Sequence, residues 1–287
     1  MAPRPTAQPT RTEPREVLEL RHLRTAHPEL ETAVDLQIEL LALHRRVQGR
    51  VTVPSMPPQE IVADKLAHGR PVLQFSDIPL SWTEFRYVLR ETTGILRRFD
   101  LIEADAGQAL HALLREGNEL EPVVQDWFGA TQRVNGERAV EPLPPDVAPF
   151  EQAFTLAIRP FLARCADAIL PRIDLEAWHR GYCPLCGADP EFAVIAPTGE
   201  RLLICGRCTG RWPFSGTMCP FCGNDDRLRL TTLGSRDGRY RIGACDVCLR
   251  YVKAYDERSA ARPVMLVVDT LATLPLDAAA MQRGYQG

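Results

Sequence analysis

Eight of the nine cysteines in this chain fall between residues 183 and 248, where they form four Cys-x-x-Cys pairs. The pairs are Cys183 with Cys186, Cys205 with Cys208, Cys219 with Cys222, and Cys245 with Cys248. Two thiolates separated by two residues can hold one side of a tetrahedral metal site, and a complete site needs two such pairs. The first and third pairs open nearly the same phrase, CPLCG and CPFCG. Gly187 and Gly223 end these phrases, where we expect a positive φ angle that closes the turn.

A β-hairpin pattern separates the two pairs within each repeat. In the first repeat the residue types favour strands at 191–196 and 201–204, and in the second they favour strands at 227–233 and 239–243. We call the turn formed by each Cys-x-x-Cys pair a knuckle. A knuckle, a hairpin and a second knuckle in this order are typical of zinc-ribbon and rubredoxin-like units. The pattern therefore predicts two such units in tandem.

Each hairpin returns the chain to its own first cysteine pair, which favours sequential pairing of the motifs. We therefore expect one four-cysteine site from the first two pairs and another from the last two, with crossed pairings as the alternative. Four thiolates suit zinc and a single iron equally well, so the predicted cofactors are two mononuclear metal ions per chain. A closed four-thiolate shell leaves no open position for catalysis, and we expect no enzymatic activity. Arginines flank the knuckles, where their charge can balance a negative site: Arg201, Arg207, Arg211, Arg241 and Arg250.

Other uses of the cysteine pairs fit the sequence less well. A redox-active Cys-x-x-Cys normally opens a helix, whereas these pairs are bounded by strand and turn patterns. Structural disulfides would require export, and the N-terminal segment lacks the apolar stretch of a signal peptide. The longest apolar runs are too short to span a bilayer, so we expect a cytoplasmic protein without membrane insertion.

Residues 15–180 show helical periodicity and contain no pair of histidines at the helical spacing of metal ligands. Pro160 lies inside the last helical segment, which we expect it to kink or split. The overall prediction is an α+β fold, in which an all-helical N-terminal domain precedes two tandem rubredoxin-like or zinc-ribbon β-hairpin units. The expected domains are a disordered leader at 1–14, a helical domain at 15–180, four-cysteine metal ribbons at 181–214 and 215–262, and a tail at 263–287 that packs back on the body.

Zinc ribbons often bind nucleic acid, and the charge of the C-terminal part bears on that alternative. Residues 181–287 contain 13 Lys or Arg and 11 Asp or Glu, a net charge of +2 by subtraction. Nucleic-acid-binding domains usually carry a much stronger basic patch, so nucleic acid is a weak candidate partner. A rubredoxin-like electron carrier is the other alternative, and it would need iron in the knuckles.

Five strings of the C-terminal part form a specific combination. They are WHRGYCPLCGADP (178–190), RLLICGRCTGRWPF (201–214), CPFCG (219–223), CDVCLRYVKAYD (245–256) and VVDTLATLPLDAAAMQRGY (267–285). This combination resembles the formate dehydrogenase accessory protein family, FdhE, with Asp269 and Asp277 in the acidic positions of that family's ending. Residues 21–48 are similar to the first helices of the family, so the resemblance covers nearly the whole chain.

The resemblance implies a cytoplasmic maturation factor that formate dehydrogenase needs for activity. Proteins of this family associate with the molybdenum- or tungsten-containing catalytic subunit of that enzyme. Their metal domain is described as rubredoxin-like and associated with iron, so the resemblance shifts the expected metal toward iron.

Six residues are candidates for binding this client: Trp178, Tyr182, Trp212, Phe214, Asp269 and Asp277. The aromatic ones surround the first metal unit, where they either cover small ribbon cores or act as exposed anchors of the kind that concentrates binding energy. The two aspartates either cap the tail or contact the partner.

Overall fold

The structure is a computed structural model that describes residues 13–115, 119–138 and 147–287. Residues 1–12, most of the predicted leader, lie outside the described residues. The predicted α+β class is confirmed, because a helical N-terminal region precedes a sheet-rich part that carries both cysteine clusters. Within the described ranges, no helix is both long enough and apolar enough to cross a membrane.

The N-terminal region consists of helices packed around a shared apolar core. Their bounds are α1 Arg15–Ala26, α2 Glu31–Gln48, α3 Gln59–Ala67, α4 Trp82–Arg98, α5 Ala104–Arg115, α6 Leu120–Thr131 and α7 Glu151–Ile169. The helix α7 packs against both α2 and α4. Its buried side chains include Phe154, Ile158 and Phe161, and the Phe161 ring lies 6.2 Å from that of Phe85 on α4. These positions recur every three or four residues, which places them on one face of the helix.

Pro160 does not divide α7, so of the two expected outcomes, a kink or a split, the split is wrong. The helix runs without interruption from Glu151 to Ile169. A proline lacks the N–H group that would bond to the carbonyl four residues earlier, here that of Leu156. The ring of His44, on α2, lies close to this carbonyl. A polar side chain of a neighbouring helix is thus placed beside the group that proline leaves free.

The C-terminal part folds into a six-stranded sheet flanked by two short helices. A small hairpin precedes this part, with strands β1 Arg133–Val134 and β2 Glu137–Arg138. The strands of the sheet are β3 Pro190–Ile195, β4 Arg201–Cys205, β5 Arg211–Pro213, β6 Leu230–Gly234, β7 Tyr240–Cys245 and β8 Tyr251–Asp256. The two helices are α8 Leu266–Ala272 and α9 Leu274–Met281. The strand order is β5-β4-β3-β8-β7-β6, so each ribbon contributes three adjacent strands. The ribbons meet where β3 and β8 pair in parallel, with Phe192 opposite Lys253 and Val194 opposite Tyr255.

The tail contacts both parts of the molecule. Val268 on α8 is buried with Leu20 of α1 and Val34 of α2. Ala280 on α9 is buried with Ile242 of β7. The two short helices therefore pack on the helical region and on the sheet at the same time, which fixes these two layers relative to each other.

His44 provides a test of the helical packing through the pH dependence of stability. Burial of its ring, together with the nearby charge of Arg159, lowers the pKa of His44 to about 4. An unfolded histidine has a pKa of about 6.5, so the unfolded chain binds more protons below that pH and acid favours unfolding. Between pH 7 and pH 5 we expect this half-buried ring to cost about 1 kcal/mol of stability, after allowance for solvent screening.

The measurement is denaturant unfolding, followed by circular dichroism at both pH values, for the wild type and for His44→Gln. Glutamine is a polar side chain of similar size that does not titrate, so the variant should lose less stability in acid. An equal loss in the two proteins would show that His44 does not cause it.

Candidate metal centre

The eight paired cysteines form two clusters in the described part of the chain, with the sequential pairing favoured by the sequence. The first cluster contains Cys183, Cys186, Cys205 and Cys208, and the second contains Cys219, Cys222, Cys245 and Cys248. The four sulfur atoms of each cluster lie within 4.8 Å of one another. An ion at about 2.3 Å from each sulfur of a tetrahedron needs sulfur–sulfur distances of about 3.8 Å. The donor set and its spacing therefore fit one zinc or iron ion in each cluster.

The first cluster is enclosed by the protein. All four of its cysteines are buried, with 3.5 Å between the sulfurs of Cys183 and Cys208 and 3.4 Å between those of Cys186 and Cys205. Burial raises the pKa of the Cys183 thiol well above its usual range. Burial acts in the same direction on Cys186, but its hydrogen bonds with the neighbouring thiols and the charge of Arg207 hold its pKa well below that range. A metal ion must displace the protons that remain, so its binding depends on pH.

Backbone hydrogen bonds hold the first knuckle against the helical region. The amides of Val72 and Leu73 donate to the carbonyls of Pro184 and Leu185 at 2.8 and 2.9 Å. A Cβ atom at Gly187 would lie only 2.5 Å from the Gln132 side chain, closer than real Cβ contacts allow. The glycine after the second cysteine therefore serves a close approach as well as a turn.

All four knuckles place the residue after their second cysteine in the left-handed region. Gly187 and Gly223 do so with a φ of 73°, which confirms the prediction for these glycines. The second knuckle of each ribbon, which we call the closing knuckle, is followed by Thr209 or Leu249, with φ angles of 59° and 56°. Because side chains other than glycine rarely adopt this conformation, the closing knuckles carry local strain that no residue type in the sequence indicates.

Arg207 lies in the closing knuckle of the first cluster and is buried against the helical region. Its guanidinium carbon is 4.8 Å from the centre of the Trp127 ring and 5.0 Å from that of Phe128. It donates a hydrogen bond to the Thr131 hydroxyl at 2.5 Å. Since its charge also favours the ionised form of Cys186, Arg207 links the cluster electrostatically to the aromatic core of the helices.

The other flanking arginines bond to groups outside the clusters or are exposed. Arg201 donates to the Met218 carbonyl, Arg241 pairs with Asp256, Arg250 pairs with Asp189, and Arg211 is exposed. Asp189, which follows the first knuckle, is not among the predicted site residues. Its carboxylate accepts from Arg133 at 2.5 Å and from Arg250 at 3.1 Å, and so connects the helical region to both ribbons.

The second cluster reaches the surface. Its sulfurs are 3.7 Å apart in the pair Cys219 and Cys248, and 3.7 Å apart in the pair Cys222 and Cys245. Cys219 and Cys245 are buried, Cys248 is half-buried and Cys222 is exposed. Burial raises the pKa of the Cys219 thiol. The two clusters thus share a donor set but differ in their access to solvent.

The four aromatic candidates for partner binding are buried beside the first cluster. Trp178, Tyr182, Trp212 and Phe214 are 2, 4, 0 and 9% exposed. The Trp178 indole donates to the Tyr182 carbonyl at 3.0 Å, and the Tyr182 hydroxyl donates to the Gly69 carbonyl at 2.7 Å. In this conformation they cover the protein's own core, and their part in partner binding stays a prediction.

The two aspartate candidates bond within the protein. Asp269 is fully buried, where it accepts from the Tyr240 hydroxyl at 2.8 Å and pairs with Arg262 at 2.7 Å. Asp277 pairs with the Lys253 ammonium at 2.5 Å and accepts from the Tyr251 hydroxyl at 2.7 Å. Both carboxylates anchor the tail to the sheet, and contact with a partner stays a prediction for them too.

These features define a class of protein, in which a helical region is joined to two four-cysteine ribbon units that share one sheet. No family model matches the chain. The crystal structure of the FdhE protein from Pseudomonas aeruginosa has a similar fold, with a TM-score of 0.58 and 22% identity. The likeness covers 95% of this chain and 92% of that one, and it establishes the fold.

Sequence similarity leads to proteins with the same name. The chain is 32% identical over 125 residues to an FdhE homolog of Shewanella baltica OS223, covering 42% of this chain and 41% of the relative. It is 32% identical over 133 residues to an FdhE homolog of Aquifex aeolicus, covering 45% and 46%. It is also 32% identical over 145 residues to FdhE of Escherichia coli O1:K1, covering 49% and 45%. The resemblance to FdhE proteins is therefore confirmed, although each match spans less than half of the curated relative.

Substitution of Arg207 tests the link between the first cluster and the helices. Arg207→Met removes a buried hydrogen bond, a cation–π contact and the charge near the thiolates, so we expect a loss of about 2 kcal/mol in the free energy of unfolding. Zinc affinity of the first cluster should fall about tenfold, as is usual for groups that support metal ligands.

Thermal unfolding and competition with a zinc chelator measure these two effects. Arg211→Met is the matched control, because Arg211 is exposed in the same ribbon and its loss should change stability by less than about 0.5 kcal/mol. Similar effects of the two substitutions would argue against a special role for Arg207.

Proposed function

We propose that this chain is a non-catalytic formate dehydrogenase accessory protein, which binds the catalytic subunit of the enzyme in the cytoplasm during its assembly. One observation carries the proposal: an FdhE-type fold over 95% of the chain in which both four-cysteine clusters have a spacing suited to metal. The closed donor sets support a non-catalytic role, because four thiolates leave no coordination position for a substrate. The family resemblance supplies the client, which for this chain is part of the proposal.

The residues proposed to hold metal are the eight cysteines of the two clusters, with one ion in each. Iron is the metal that the family resemblance favours, and zinc fits the same thiolates equally well. When bound, such an ion cross-links each hairpin to its knuckles, and an iron ion can in addition change its oxidation state. Metal binding must displace protons from buried thiols such as that of Cys183, whose pKa burial raises, so folding of the ribbons and binding of metal are coupled.

A groove beside the first ribbon is the proposed place for part of the client. It has a volume of about 750 Å³, and its lining includes Trp178, Glu176, Glu200, Phe214 and Met218. The lining also contains Arg201, whose guanidinium already donates to the Met218 carbonyl. Glu176 and Glu200 are exposed at the groove. An apolar floor with acidic side chains at the rim suits an extended segment that carries apolar and basic side chains.

Metal content is the first expected outcome. Protein purified without oxygen should contain two metal ions per chain, and Cys183→Ser combined with Cys219→Ser should lose them because one ligand is removed from each closed site. If the metal is iron, visible thiolate-to-iron absorption should disappear in the variant, whereas zinc-loaded protein should be colourless. Less than one metal ion per chain would contradict the assignment of the clusters.

Client binding is the second expected outcome. A tagged chain should co-purify with a co-expressed formate dehydrogenase catalytic subunit, and it should raise formate dehydrogenase activity in cells that lack their own accessory protein. Glu200→Lys should weaken co-purification about tenfold, because it reverses a charge at the groove without touching the core.

Glu60→Lys is the matched control, since this exposed glutamate lies on α3, in the helical region, and does not line the groove. Unchanged thermal stability of both variants would show that they fold. Failure to co-purify and to restore activity would overturn the proposed function. Equal binding by both variants would overturn only the assignment of the groove as the client-binding site.

A further inference from the structure

The two four-cysteine clusters offer the same chemistry in two different settings. In the first cluster the amides of Arg207 and Cys208 donate to the Cys205 sulfur at 3.3 and 3.4 Å. The second cluster has the same Cys-x-x-Cys spacing, and the residues after its knuckles, Gly223 and Leu249, have φ angles of 73° and 56°, close to the 73° of Gly187 and the 59° of Thr209. The donor set and the knuckle conformation are thus alike, which points to the surroundings as the source of a difference in behaviour.

The first cluster is surrounded by the core of the helical region. Its four cysteines belong to the same buried apolar cluster as Trp127 and Phe128 on α6. All four cysteines are buried, and the hydrogen bonds at Val72 and Leu73 hold the first knuckle against the helices, so a ligand from solution meets no exposed thiolate here. Access to these sulfurs therefore requires a local opening of the structure, which we expect to be slower than attack on an exposed thiolate.

The second cluster has an open side. Cys222 is exposed and Cys248 is half-buried. The surrounding segments leave apolar side chains in solvent, with Leu228 91%, Val247 53% and Leu249 51% exposed. An incoming ligand therefore meets a thiolate at the surface without any prior opening of the core.

We propose that the second four-cysteine cluster is an exchange site, at which bound metal is accessible to thiol or nitrogen ligands from solution, whereas the first cluster is a closed structural site. Cys222 is the thiolate that an incoming ligand displaces first. In this substitution a new donor takes the place of one sulfur, the metal keeps its oxidation state, and the freed thiolate takes up a proton from solvent. The inference needs both clusters loaded but does not depend on the identity of the client.

The test uses the full chain loaded with two zinc ions and an excess of the colorimetric chelator 4-(2-pyridylazo)resorcinol, whose absorbance reports each zinc ion as it leaves the protein. We expect two phases of one equivalent each, with the first at least tenfold faster than the second. Alkylation by iodoacetamide over the fast phase, read by peptide mass spectrometry, should label Cys222 and Cys248 while Cys183 and Cys186 stay unmodified.

Two matched variants assign the phases, because Cys186 and Cys222 occupy the same position in their opening knuckles. Cys222→Ser should abolish the fast equivalent and leave the slow one. Cys186→Ser should abolish the slow equivalent, and the wild-type data stand by themselves if this variant does not fold.

Release of both ions in one phase, or a fast phase that persists in Cys222→Ser, would overturn the inference and leave the proposed function intact. Failure of either cluster to bind zinc would overturn it together with the metal part of that function.

Discussion

The burial of the first four-cysteine cluster in the core of the helical region is the constraint on which the rest of the structure depends. Its thiols pack in the same apolar cluster as Trp127 and Phe128. Ionised thiolates in such a place are costly unless positive charge and hydrogen bonds compensate them. Arg207 supplies one charge, the knuckle amides supply hydrogen bonds, and a metal ion is the natural source of the remainder. This one site therefore joins the ribbons to the helices, and we expect a metal ion in it to strengthen that junction.

The sheet extends that constraint to the second ribbon. Because β3 and β8 pair in parallel, the two ribbons form the two halves of one sheet and are not independent units. Asp189 adds an ionic contact across the same junction, and the tail closes it from the other side through Asp277 and Lys253. One cluster can thus lie at the surface, with its position still set by the buried one.

Local patterns were enough to predict the knuckles, the hairpins between them and the helical region, because each depends on residues close together in the sequence. The junction of the ribbons was not predictable in this way. The strand β8 has the sequence YVKAYD. Its charged residues Lys253 and Asp256 are typical of an exposed strand, yet all six residues are buried. Lys253 is buried because Asp277, 24 residues away, pairs with it. Likewise, Tyr182 is covered because its hydroxyl reaches the Gly69 carbonyl, 113 residues earlier.

The parallel pairing of β3 with β8 also affects the order in which the molecule can form. Synthesis proceeds from the N-terminus, so β3 and β4 leave the ribosome before β8 exists. During that interval β3 presents an unpaired edge, which is a template for association with other chains. Contacts between distant residues form slowly because loop closure costs entropy, so the interval is not short. The first four cysteines are complete at residue 208, well before β8, and metal captured at that stage would hold the nascent hairpin closed. The edge of β3 that awaits β8 would then be presented in its native register, ready for the strand that completes the sheet.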